Sequence, residues 1–506
     1  MKFPSSFIIL FFSLGISFPL QAIEKAIIDV VDTTPFHIHS DQEKTFSIVL
    51  SRSKTFPVYY QWRDYLGHPL TDKKPLTAMI TFLRLPSTVP GYYGLVFTAT
   101  EEVVINDREQ GEALEFGFGM IDPARIPGRQ AGETERFGTV HTDLNDPFMP
   151  AWIKTMTWKT VTSQEWKNEI SERLNSGFQE LPIIIDDEWQ SDDDFPISDD
   201  QLDRLSVKVS QYFRADPRVK HWELGIEENL QARFQQPCYW QNLAAKAAVV
   251  RQAADQISPN DIKLIYQVAE LDIKPVRLFL KSEAAQYFDI LSLHPYNWPD
   301  FPPPETWIAA YLDKVRNEMK KTDQTFPIWF TEVGAPHHGH YKDHFFGYPD
   351  EGIKVHGLSR SQSVSYMIKL HVIAFQQGVQ KIFWYNYRDQ EPDRDDAENH
   401  FGLIDYKGYP KPVYLAYVHL YSLLKDKQPA GMSKVNEHVL VYRFEDQTGT
   451  LFVVWNRTPG KRKVQLKKLG LDPDKASITN AVGKPEPMTN GMIEVGESPS
   501  FIFVSK

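Results

Sequence analysis

Glu227 and Glu332 are the residues best placed to do chemistry in this 506-residue chain. Glu227 closes the segment His221-Trp222-Glu223-Leu224-Gly225-Ile226-Glu227, and Glu332 closes Pro327-Ile328-Trp329-Phe330-Thr331-Glu332. Each segment reads as a β-strand running into a loop, which sets a carboxylate at the carboxyl rim of a sheet. In a parallel barrel that rim carries the reacting groups. Two carboxylates on different strands provide an acid together with a nucleophile or a base, the equipment for breaking a glycosidic bond. A lone rim glutamate is more often a salt-bridge partner, so its companions decide. His294-Pro295-Tyr296 ends the sixth strand candidate, Trp384-Tyr385-Asn386 the eighth, and His141 the first. Imidazole and aromatic groups thus share the rim with the carboxylates, and flat aromatic faces suit the C–H faces of sugars.

The elements that position these groups alternate in type. From about residue 121 the chain switches between strand and helix patterns, the mark of a parallel sheet with crossovers. The strand candidates are Phe137–Thr142, Thr155–Lys159, Leu181–Asp186, Val219–Gly225, Ile262–Val268, Phe288–His294, Pro327–Glu332 and Lys381–Tyr387. Amphipathic stretches lie between them, among them 163–175, 199–214, 241–257, 305–321 and 361–377. Eight repeats in this span predict an α/β fold, a (β/α)₈ TIM barrel over residues 121–427, with a doubly wound sheet as the alternative. Strands four and seven then face each other across the mouth.

Residues 23–120 show short β-branched and aromatic runs separated by Pro, Gly, Asp and Ser, the pattern of an immunoglobulin-like β-sandwich. Residues 428–506 return to strands and predict a small C-terminal β-domain beside the barrel, sharing a sheet with residues near the mature N-terminus. Residues 1–22 carry Lys2, an apolar run and a Leu20-Gln21-Ala22 cleavage pattern, so a signal peptide and a secreted or periplasmic protein are expected. No later stretch approaches the length of a membrane span. The single cysteine, Cys238, cannot form an internal disulfide. A formal charge of −11 argues against nucleic acid as a partner. Ten of the 12 tryptophans fall between Trp152 and Trp384, serving the barrel core, a sugar-binding cleft, or both.

The segment Trp222-Glu223-Leu224-Gly225-Ile226-Glu227 resembles the Trp-Glu-Ile-Trp-Asn-Glu motif of clan A glycoside hydrolases, and Phe330-Thr331-Glu332-Val333-Gly334 resembles that clan's nucleophile strand. Residues 399–414 resemble the stretch after its last strand, and the flanking β-domains suit relatives of family 39. The resemblance implies a retaining hydrolase of β-linked polysaccharide or oligosaccharide, with Glu227 as acid/base and Glu332 as nucleophile. It implies that Tyr296 bonds the nucleophile, that Trp384 forms the floor under the sugar, and that His294 contacts the sugar or holds the rim; His141 completes the substrate-binding set. One position departs from the clan. Ile226 stands where an Asn binds the sugar 2-hydroxyl, a bond worth several kcal/mol in the transition state. Either the substrate differs at C2, or another residue such as Asn229 substitutes, or the chain is a degenerate, weakly active relative; a non-catalytic carbohydrate-binding barrel protein is the rival class. Glu228 is the alternative acid. No cofactor is expected. His337, His338, His340 and His344 form a histidine-rich loop whose spacing matches no standard metal site, so it is read as cleft lining; a metal-dependent hydrolase or lyase is the remaining rival.

Overall fold

In the computed structural model, residues 24–506 are described except 33, 40–44, 53–55, 101–102, 107–112, 123–134, 156–163, 186–188, 190–194, 340–344, 349–352 and 392–394. The expected signal peptide therefore lies outside the described residues.

Eight parallel strands close into a barrel: Phe137–Val140, Trp152–Thr155, Gln179–Ile184, His221–Leu224, Lys263–Ala269, Ile290–His294, Ile328–Val333 and Lys381–Trp384. They are numbered one to eight below. The second strand begins earlier than expected, at Trp152 instead of Thr155, and residues 156–159 of the expected strand lie outside the described residues. Lys154, set between Ile153 and Thr155 in so short a run, conceals a strand whose polar member points inward.

Alternation along each strand builds the barrel interior in layers. Trp152, His221, Trp329 and Phe383 pack ring to ring at its base, with Trp152 centroids 5.1 Å from His221 and 5.7 Å from Trp329. Two residues further along their strands, Lys154, Glu223 and Thr331 form a polar layer beneath the mouth. Helices cover the outside: Gln164–Asn175, Asp199–Ala215, Tyr239–Ile257, Ile273–Lys281, Ile308–Lys321, Arg360–Gln376 and Pro412–Leu424. Capping boxes start two of them, at Ser198/Gln201 and Ser359/Gln362, each satisfying backbone donors that the first turn leaves free.

The N-terminal region packs a four-stranded sheet, containing Glu24–Val31 and Phe46–Arg52, against a five-stranded sheet, containing Tyr59–Arg63, Gly91–Thr98 and Leu114–Met120. Ile28, Ile48, Trp62, Phe97 and Phe118 fill the space between them. The sandwich seats tightly on the barrel. Glu115 pairs with Arg360 at the head of the sixth helix named above, and a Cβ on Gly117 would fall 1.8 Å from the Pro410 carbonyl oxygen.

Among the described residues the C-terminal strands do not join an N-terminal sheet. They form their own five-stranded sheet, from Gln428–Lys434 through Val439–Glu445, Gly449–Asn456 and Ser500–Ser505 to Ala476–Thr479, with a separate pair at Arg462–Gln465 and Met492–Val495. Leu440, Tyr442, Trp455 and Phe501 on this sheet belong to the same continuous core as the barrel.

Candidate active site

Glu332 reaches the mouth because its strand carries one extra residue. Phe330 pairs with Ile382 and Val333 with Trp384, so the seventh strand advances three residues while the eighth advances two. Such an insertion breaks strict alternation and re-aims a side chain. Thr331 and Glu332, though adjacent, both face inward. Thr331 reaches Glu223, and Glu332 receives the Tyr296 hydroxyl at 2.9 Å.

Glu227 lies three residues beyond the end of the fourth strand, on a turn held at several points. Gly225 has φ +75°, and a Cβ there would stand 2.2 Å from a Glu228 carboxyl oxygen, so glycine is required. The Gly225 N–H donates to the Ile184 carbonyl at 2.9 Å, and the Gln267 amide donates to the Gly225 carbonyl. Glu227 itself sits in the left-handed region at φ +44°, uncommon for a residue with a side chain. The turn aims its carboxylate at the His294 ring, with Nδ1 2.9 Å from Oε1.

An oxygen of Glu227, a ring nitrogen of His294 and an oxygen of Glu332 all lie within 4.8 Å of one another. Beneath them the Lys154 ammonium sits 2.8 Å from Glu223 Oε2, 3.5 Å from Glu332 Oε2 and 3.3 Å from His294 Nε2. A shared metal ion would have to coexist with this buried cation, which already supplies the local positive charge; the three side chains form a carboxylate–imidazole cluster above it. Burial pushes the Glu332 carboxyl up; Lys154, His294 and the Tyr296 hydroxyl pull it down, Glu227 adds to the rise, and the net direction is upward. Glu223 goes the other way. Burial raises it, but Lys154 and His294 outweigh burial and bring it down to about 2.

No family model and no curated protein matches the sequence. Solved structures do match. A family 39 glycoside hydrolase from the gut symbiont Bacteroides cellulosilyticus WH2 superposes with a TM-score of 0.65 at 18% identity, over 89% of this chain and 95% of that one. The chain has the family 39 glycoside hydrolase fold. Two β-glucuronidases, from Ruminococcus gnavus and Faecalibacterium prausnitzii, align at a TM-score of 0.37 with 12% and 14% identity, over 78% and 79% of this chain and 67% and 66% of theirs.

Within this family 39-type barrel, Glu227, Glu332, His294 and Tyr296 converge at the mouth. Three other expected residues stand apart. Trp384 is 1% exposed and packs 6.0 Å from His371 on the covering helix, so the eighth strand turns it outward. Tyr385, one residue on, takes the inward position: its hydroxyl donates to Glu398 at 2.7 Å, and its ring lies 5.2 Å from Phe401. Burial chiefly raises the Tyr385 hydroxyl, and the charges on Glu398, Glu332 and Glu227 raise it further, which marks it as a neighbour of the pair. Asn229 is committed elsewhere. Its amide donates to the Ala269 carbonyl and accepts from the Ala269 N–H at 3.1 and 2.8 Å, pinning the turn to the fifth strand rather than replacing the amide missing at Ile226. His141 is exposed just past the first strand, its N–H donating to the Lys154 carbonyl at 3.0 Å.

Glu228 is buried under the turn, where Arg233, the Trp189 indole and the Tyr239 hydroxyl hold both its oxygens. Its carboxylate faces the scaffold, away from Glu332. Of the histidine-rich loop, His337 is buried, while His340, His344 and the His338 side chain lie outside the described residues. Lys154 was missed from sequence, while Glu223, Thr331 and Tyr385 stood in the rim segments without a role of their own. The signal for Lys154 was a lysine flanked by Trp152, Ile153 and Thr155, which suits an inward position in a barrel strand.

Proposed function

We propose that the protein is a retaining glycoside hydrolase acting on β-linked glycans, with Glu332 as nucleophile and Glu227 as acid/base. The observation that carries this reading is the approach of the two carboxyl groups, oxygen to within 4.8 Å of oxygen. Retaining enzymes hold their carboxyls about 5–5.5 Å apart, whereas inverting enzymes leave about 6.5–9.5 Å for a water. Glu332 attacks the anomeric carbon as Glu227 gives its proton to the departing oxygen. Glu227 then takes a proton from water, whose oxygen displaces Glu332. Tyr296 holds the attacking carboxylate in line, and Lys154 favours its ionised form.

The sugar lies against Tyr385 in this reading, and Ile226 leaves the C2 side without the amide common in the clan. That combination favours a glycan whose C2 substituent needs no hydrogen-bond donor from position 226. Export through the N-terminal segment belongs to the same proposal, and the N-terminal sequence of the mature protein tests it.

Digestion of a panel of aryl β-glycosides and polysaccharides, with product stereochemistry followed by NMR, is the direct test. Expected are hydrolysis with net retention, and loss of roughly a thousandfold or more in kcat for Glu332→Gln. Glycan binding with no turnover by the wild type, unchanged in Glu332→Gln, would instead identify a non-catalytic carbohydrate-binding barrel.

A further inference from the structure

The hydrogen-bond chain beneath Glu227 fixes where one proton resides. Glu223 is a buried carboxylate that Lys154 keeps ionised, so it only accepts. The Thr331 hydroxyl lies against Glu223 Oε1 and must donate its single proton there. Thr331 Oγ1 can then only accept, and the Ser292 hydroxyl fills one of its lone pairs. His294 Nε2 lies 2.9 Å from the same oxygen, so Nε2 carries a hydrogen and donates. The competing tautomer, with Nε2 accepting from Lys154 at 3.3 Å, would leave Nε2 and Thr331 Oγ1 facing each other at 2.9 Å with no proton between them.

With Nε2–H committed downward, the other face of the ring is decided as well. His294 Nδ1 and Glu227 Oε1 are 2.9 Å apart and both are acceptors unless one further proton lies between them. We propose that His294 is a positioning residue which, locked by the Lys154–Glu223–Thr331 chain, shares a stored proton with Glu227 and keeps the acid/base loaded. This rests on the glycosidase reading for its use, though not for its location. Every charged or titratable neighbour of the ring bears on that proton: Glu227 on the turn after the fourth strand, Glu223 on that strand, Lys154 on the second, and Glu332 on the seventh. Burial and Lys154 depress the imidazole, the three carboxylates outweigh both, and its affinity for a proton ends above the usual histidine value.

The cycle balances. The stored proton goes from Glu227 to the leaving oxygen as the glycosidic C–O bond breaks and the Glu332 oxygen–carbon bond forms. The Nδ1 lone pair then faces a bare carboxylate across the same 2.9 Å, an arrangement that is relieved when the pair regains a proton. Water's proton returns to the pair while its oxygen replaces Glu332 on the sugar.

Two measurements on the full chain test this. In protein labelled with ¹⁵N in its histidine rings, with the His294 resonances assigned through His294→Gln, the expected result is a persistent Nε2–H and an Nδ1 shifted by a shared proton. In Glu227→Gln that Nδ1 should lose its proton. A His294 that carries its hydrogen on Nδ1, with a bare Nε2, overturns the proposal. In the second measurement Thr331→Val frees the ring. The basic limb of kcat/KM should move to lower pH, and kcat/KM should fall roughly tenfold or more for alkyl glycosides but several times less for dinitrophenyl glycosides, whose departure needs little acid help. Equal losses on both substrates with an unmoved limb also overturn it. If the wild type cleaves no glycoside, the function reading fails alone, because the ring spectrum needs no substrate.

Discussion

At the residue scale the site is governed by one buried cation. Lys154 pulls down the Glu332 carboxyl against burial, so Lys154→Met should push that carboxyl further up. With Glu332 as the proposed nucleophile the reactive form is the carboxylate, so activity should fade as pH falls through a value above the ordinary 4.5. In Lys154→Met the acid limb of kcat/KM should therefore move to higher pH; an unmoved limb would separate Lys154 from catalysis. Removing one partner of a buried pair costs about 3–5 kcal/mol, because the other charge is stranded. Lys154→Met combined with Glu223→Gln should accordingly melt higher than either single variant, and a double-mutant cycle by thermal denaturation measures the coupling. The one-residue distinction between Trp384 and Tyr385 gives a further test. Tyr385→Ala should depress kcat/KM with little change in melting temperature, whereas Trp384→Ala should lower melting by leaving a cavity worth about 3–5 kcal/mol.

At the element scale, precision comes from two breaks in regularity: the extra residue in the seventh strand and the left-handed turn after the fourth. Gly225→Ala tests the second. A left-handed conformation costs an L-residue about 1–2 kcal/mol, and the new methyl would also collide with Glu228 and Trp189. Displacing the turn by about 1 Å can cost roughly a hundredfold in rate, so kcat/KM should drop far more than stability does. The same breaks explain what the sequence could show. Barrel strands, flanking sheets and the two glutamates were legible because periodicity and motif order survive small errors in boundaries. Lys154 was not, because the second strand was expected to begin only at Thr155; Tyr385 was not, because the floor was assigned to Trp384, and a slip of one residue exchanges an inward for an outward side chain. Thr331 was hidden for a related reason: strict alternation allows only one of Thr331 and Glu332 to face the mouth.

At the scale of the whole molecule, the barrel does not end at its own helices. Tyr442 stacks on Trp455 at 4.8 Å, Lys369 of the barrel lies over Trp455, and the Gln376 amide donates to the Arg443 carbonyl at 2.6 Å. One continuous core spans barrel and C-terminal sheet, so calorimetry should show them unfolding in one transition. Two resolved transitions, one matching an isolated 428–506 fragment, would contradict a shared core. Among the described residues no helix is long and apolar enough to cross a membrane.

The turn bearing Glu227 divides its labour unevenly. Glu228 and Asn229 are tied to the scaffold by side-chain bonds, and Gly225 by its backbone. Ile226 is held through its carbonyl, which the Gln231 amide grips, while its half-buried side chain is not part of that bond. Position 226 is therefore a natural dial for protein engineering. A saturation library there can sample new sugar preferences without dismantling the loop that carries the neighbouring carboxylate, and Ile226→Asn is the first member to make.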